Sequence, residues 1–138
     1  MTTRATATFD VTGWDQTAYG DTTGGQHLSR ATVRKVFSGD LDGESTAELL
    51  MCRQEQPSDV GAGAGYVASE LVKGTLGGRI GTFVIQHWGV SGPGALQRTA
   101  GHVVPGSGTD DLVGLSGEIE IAVDDDCGHT ITIDYELA

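Results

Sequence analysis

The chain is short of positive charge, of cysteine, of aromatic residues and of long apolar runs, and each shortage removes a class of protein. Only 8 Lys and Arg stand against 19 Asp and Glu in 138 residues, a net charge of −11, which repels phosphate backbones and anionic lipid surfaces. Nucleic acid and membrane are therefore not expected partners. No apolar run approaches the roughly 18 residues a membrane span needs, and the opening MTTRATATFD holds no apolar core of a secretory leader. The expectation is a cytoplasmic protein. Cys52 and Cys127 lie in separate segments without metal-ligand spacing, so free thiols are expected. Glycine-rich runs are not followed by Gly-Lys-Ser/Thr, and Ser91 and Ser107, although beside glycines, lack a Gly-x-Ser-x-Gly elbow. Phosphate-loop and hydrolase readings thus lose their motifs.

What is abundant is glycine, 22 residues, with 3 prolines; the sum stays below the level at which disorder becomes the better reading. The glycines punctuate segments whose apolar period is two rather than 3.6. In TRATATFDVT, Ala5, Ala7, Phe9 and Val11 share one face and Arg4, Thr6, Thr8 and Asp10 the other. Similar segments run over about 28–38, 44–53, 65–75, 79–90, 96–104, 117–124 and 129–137. Turn signals at Asp42-Gly43, Gly77-Gly78 and Ser91-Gly92-Pro93-Gly94 separate several of them. No segment has a helical stripe. The pattern predicts an all-β fold, a single antiparallel β-barrel of about eight strands in one domain over 1–138, because closure removes the exposed edges of so long a meander. The irregular stretches 14–26 and 54–65 are turn-rich, and read as loops or as lids at a barrel mouth.

The stretch PGSGTDDLVGLSGE, residues 105–118, mixes four glycines with Leu112, Val113 and Leu115. It falls between two strands, not between strand and helix, so it reads as a packed corner: Pro105 ends a strand, Gly106 and Gly108 turn the chain, and the three apolar residues plug one barrel end. The run GSGTDDLVGLSGE resembles the glycine-rich corner of the allene oxide cyclase and dirigent-protein barrels. Together with TFDVTGWD, GDLDGESTAELLM, VKGTLGGRIGTFVIQHWG and VVPGSGTDDLVGLSGE it is similar to a family of small bacterial proteins known only as a domain of unknown function. The resemblance spans nearly the whole chain and implies the allene oxide cyclase-like barrel and, as is common there, a homo-oligomer. Gly101-His102 stands where that group tends to carry an aromatic residue, which implies a different pocket lining.

A barrel of eight strands encloses room for side chains or one small ligand. With Gly77-Gly78 as a two-residue hairpin loop, Val72 opposes Phe83, Glu70 opposes Ile85 and Ala68 opposes His87. Glu70 and His87 then share a face with Tyr66, Phe83 and Ile85, close enough to interact diagonally. A carboxylate beside an imidazole among apolar groups is a candidate acid/base pair, and equally a satisfied buried ion pair or a surface pair. Tyr66, Phe83, Ile85, Phe37 and Phe9 are the expected ligand-binding wall. Glu48 is the third catalytic candidate: an Asp42-Gly43 turn sets it diagonal to Lys35, either as an exposed ion pair or as a second carboxylate in the lumen. DDDCGH at 124–129 and Asp110-Asp111 read as solvated turns, not metal sites, and His27 and His102 as loop and wall residues. No metal or cofactor is expected. Segments 44–53 and 79–90 are apolar on both faces, so Leu49, Met51, Val84 and Trp88 are expected outside, against another subunit. Two functions follow. One is a cofactor-free isomerase or cyclase, using lyase-type acid/base chemistry on a small, largely apolar molecule. The other is a small-molecule binding protein with the same pocket.

Overall fold

A computed structural model describes residues 2–20, 26–54, 63–92, 95–123 and 128–138. Eight strands follow one another: β1 (Thr3–Tyr19), β2 (Gln26–Gly39), β3 (Leu41–Gln54), β4 (Ala64–Leu76), β5 (Arg79–Gly92), β6 (Ala95–Val103), β7 (Leu115–Val123) and β8 (His129–Leu137). Each pairs antiparallel with the next, and β1 pairs with β8, which closes the barrel. Closure consumes every edge. On the outside of that last seam, Arg4 makes a two-pronged ion pair with Asp134, 2.8 and 3.0 Å. Among the described residues no helix is long and apolar enough to cross a membrane.

The period-two pattern is the physical basis of the sheet: in β2, β3 and β5 to β8 the inward residues are odd-numbered, and in β4 they are even-numbered, Ala68, Glu70 and Val72 among them, with the intervening residues outward. In β1 a bulge between Val11 and Gly13 moves the inward set to Trp14 and Gln16. That shift of face hides strand character from a strict alternation count. Residues 14–19, expected as loop, are strand, while 21–25 and 55–62 of the two expected loops lie outside the described residues.

One barrel end is filled. Leu112 and Leu115 are buried there against Leu41, Leu76, Phe83 and Val103. Gly106 and Gly114 turn the corner at positive φ, and Asp110–Leu112 form one 3-10 turn. The plug expectation holds for the two leucines and fails for Val113, which is 66% exposed. The acidic pair has a structural use, since Asp111 accepts the Ile80 backbone N–H at 3.3 Å. Ser107 likewise accepts the Val84 N–H at 3.0 Å.

The two hairpin expectations met different fates. Gly77 and Gly78 have φ of 58° and 85°, the backbone a two-residue primed turn demands, and the pairs Val72–Phe83, Glu70–Ile85 and Ala68–His87 form as expected. Asp42-Gly43, by contrast, is not a turn. The chain reverses at Gly39 and Asp40, and Phe37 pairs with Gly43, Lys35 with Ser45 and Thr32 with Glu48. Gly43 serves another need: a Cβ there would sit only 2.7 Å from the Gly74 Cα on the neighbouring strand. The register differs by an odd number of residues from that of a 42–43 turn, so every side chain of the pair changes its expected partner face.

Candidate functional site

Glu70 is fully buried, and three neighbours satisfy its carboxylate. Lys35 Nζ on β2 donates to Oε1 at 2.9 Å, Ser45 Oγ on β3 donates to Oε2 at 2.5 Å, and His87 Nε2 on β5 lies 2.8 Å from Oε1. The register brings them together: Lys35 opposes Ser45, Ala47 opposes Glu70, and His87 sits one step diagonally along β5. Burial pushes the Glu70 carboxyl up, but the His87 hydrogen bond, the Lys35 charge and the Ser45 hydroxyl outweigh it and hold the group down at about 2. The carboxylate is therefore ionised at neutral pH and accepts only. His87 Nε2 must then carry its proton toward Glu70, which leaves Nδ1 to meet the Tyr66 hydroxyl 3.0 Å away. With neutral imidazole the phenol donates, and the array reads Tyr66 O–H to His87, His87 N–H to Glu70. Burial and the Glu70 charge push the Tyr66 phenol up to about 12.

Small residues make the room. Tyr66 faces Gly89, where a Cβ would lie 2.6 Å from the Tyr66 ring, and His87 faces Gly101, where a Cβ would lie 2.6 Å from the His87 Cβ. The absence of a side chain at Gly101 thus seats the imidazole.

Above this array the barrel is hollow. A cavity of about 490 Å³ occupies the half away from the plug, a volume typical of small-molecule sites. Its wall is largely apolar, including Phe9, Val33, Leu49, Met51 and Ile121, and Lys35, Tyr66, His87 and His129 add polar groups. Lys35 Nζ also lies 4.7 Å from the Phe9 ring centroid, and His129 stacks on that ring at 5.0 Å.

Glu70, His87, Tyr66 and Phe9 therefore occupy the lumen as expected. Phe83, Ile85 and Phe37 also point inward but lie in the filled core, outside the cavity wall, so they support its floor and do not line it. Glu48 is on the outer wall, half exposed, bonded to Thr32 Oγ1 at 2.9 Å and 3.9 Å from Arg30 Nε. Its lumen reading falls with the Asp42-Gly43 turn. Leu49 and Met51, expected outside because 44–53 is apolar on both faces, face inward on the same side of β3 as Ser45 and Ala47. The residue missed is Lys35. It stands between Val33 and Phe37 in the alternation Ala31, Val33, Lys35, Phe37, and that period alone would have placed it in the lumen. His102 is exposed on the outer wall, His27 half-buried at the start of β2, and Cys52 an exposed free thiol. Cys127 and residues 124–126 lie outside the described residues, within which no group of three or more His, Cys, Asp and Glu could hold a metal ion.

A family model described as "Protein of unknown function (DUF3224)" matches residues 5–135. One similar solved structure is the crystal structure of a protein with unknown function from the DUF3224 family of Shewanella oneidensis MR-1, 33% identical, with a TM-score of 0.80. The match covers 100% of this chain and 99% of that one. No curated protein matches.

Proposed function

The chain belongs to the DUF3224 family, and on that footing we propose that it is a cofactor-free acid–base enzyme, an isomerase or cyclase, acting on a small, largely apolar molecule in the barrel lumen. The observation that carries this reading is the Tyr66–His87–Glu70 array at the cavity floor. An acid whose ordinary proton affinity is too high to act at neutral pH becomes useful when a base stands behind it. In the proposed step, Tyr66 Oη takes a proton from a substrate carbon while its own proton passes to His87 Nδ1. The imidazolium so formed lies against ionised Glu70, which stabilises it. Return of the proton through Tyr66 to a different substrate atom completes an isomerisation, with the proton count balanced. Glu70 orients and stabilises but does not exchange protons, since its carboxyl stays ionised to about pH 2. The apolar wall selects a folded conformer of the guest. The resemblance to allene oxide cyclase-like barrels supports the same class of chemistry.

A second reading, binding without turnover, draws on the fact that among the described residues no buried side-chain N or O atom lacks a hydrogen-bond partner. One experiment separates the two. Protein purified from its source is examined by native mass spectrometry for a retained molecule, which is then offered to wild type and to Tyr66→Phe in deuterated water. Conversion or carbon-bound deuterium with wild type, reduced about 100-fold or more in Tyr66→Phe with binding kept, supports catalysis. Binding without conversion by either protein leaves the binding module. Failure of the uncharged probe N-phenyl-1-naphthylamine to enter wild type, alongside no retained molecule, overturns both.

A further inference from the structure

The outer wall of β3, β4 and β5 carries apolar side chains in direct register. Leu50 pairs with Val67, Val67 with Trp88 and Trp88 with Ala100, and these residues point away from the lumen. Leu50, Val67 and Trp88 are 50%, 54% and 37% exposed, with Val90 beside them and Leu71 further along β4 also in solvent. Large apolar groups lying contiguously on three adjacent strands are uncommon on the free surface of a soluble chain.

Charge is distributed unevenly around the barrel. Outside β1, β7 and β8 stand Asp10, Glu118, Glu120, Asp134 and Glu136, against Arg4. Outside β2 to β4, Arg30, Arg34 and Lys73 alternate with Glu44 and Glu48. For a chain of net charge −11, a second copy is repelled by the first wall and meets near-neutral surface on the second.

We propose that the outer wall of β3–β5 is the contact surface of a homodimer. The register makes it self-complementary. A two-fold axis parallel to the strands between β4 and β5 lays Trp88 of each copy over Val67 of the other, and Leu50 over Ala100. The next row, Glu48, Ser69, Gln86 and His102, then brings Glu48 of one copy opposite His102 of the other. The outward Glu48, which the lumen does not use, acquires a role at this seam.

Light scattering and sedimentation across about 1 to 100 micromolar test this on the full chain. Wild type is expected at twice 14.3 kDa, and Val67→Glu at the monomer mass, or at least tenfold weaker in association, with an unchanged far-ultraviolet spectrum. If Val67→Glu misfolds, Trp88→Lys provides the same reading, since both side chains stand in solvent. Glu48→Arg should weaken association and Glu48→Arg with His102→Glu restore it. A monomer mass for wild type at every concentration overturns the proposal and leaves the face to a different partner. A dimer that persists in both apolar variants places the contact elsewhere and overturns it equally. Uptake of the lumen probe is expected to survive in these variants, so the result is independent of the catalytic reading.

Discussion

His87 Nε2 lies 2.8 Å from Glu70 Oε1 although the two residues are not opposite one another: Glu70 opposes Ile85, and His87 opposes Ala68. Their contact is diagonal across a non-polar floor, and it shares Oε1 with Lys35. The three groups form a unit. Removing one leaves the others buried and incompletely paired.

Glu70→Ala should therefore cost about 3–5 kcal/mol in urea unfolding, because Lys35 would remain desolvated without a counter-charge. Lys35→Met with Glu70→Met should recover most of that loss, since the pair is then replaced by apolar volume. A cost below about 1 kcal/mol for Glu70→Ala would mean that water reaches the pair.

Acid should reveal the same unit. The Glu70 carboxyl sits at about 2 in the folded chain against an ordinary 4.5, so the unfolded state binds the proton first. Its contribution is complete above about pH 4.5 and disappears as pH falls through about 2, a term on the order of 3 kcal/mol. Wild type should lose stability across that window more steeply than Glu70→Gln. Parallel curves for the two proteins would contradict it.

The Tyr66 phenol, pushed up to about 12 by burial and the Glu70 charge, should titrate late. Ultraviolet difference spectra should show a phenolate step at high pH that vanishes in Tyr66→Phe and moves down in Glu70→Gln. A Tyr66 step at the ordinary phenol value of about 10, unmoved in Glu70→Gln, would show that the phenol is solvated.

Gly89→Ala separates geometry from stability. The added methyl would lie 2.6 Å from Tyr66 Cε1 and 3.3 Å from Thr99 Cγ2, and the tyrosine ring can yield where backbone could not. The expected cost is modest, about 1 kcal/mol, but the Tyr66–His87 hydrogen bond should break. A lowered Tyr66 titration with a nearly unchanged unfolding midpoint would confirm it, whereas unchanged titration would show that the ring keeps its seat.

The residues say why some of this was legible and some not. Gly77-Gly78 announces a primed turn because only glycine adopts both positive φ values without strain, and that fixes the register of Glu70 and His87. Asp42-Gly43 carries an equally strong turn signal, yet Gly43 is present for a close approach to Gly74, a tertiary need that no local pattern distinguishes. That misreading set Glu48 diagonal to Lys35 and kept a lumen position open for it, while the apolar residues on both faces of 44–53 hid that Leu49 and Met51 point inward. The bulge after Val11 hid the far half of β1 for a related reason, since one extra residue reverses which face is apolar. Tyr66 was visible as a wall residue. Its hydroxyl contact with His87 depends on ring direction, which strand periodicity does not specify.

The leucine plug also governs traffic. With Leu112 and Leu115 stopping one end, the chamber is a blind alley. On the proposed function, a guest would enter leading with the part that meets Tyr66 and leave tail first, by the way it came. Guests would then be exchanged one at a time, each departing molecule holding the passage against its successor. Under such single-file exchange a well-fitting product would be its own inhibitor, and its departure would set the pace.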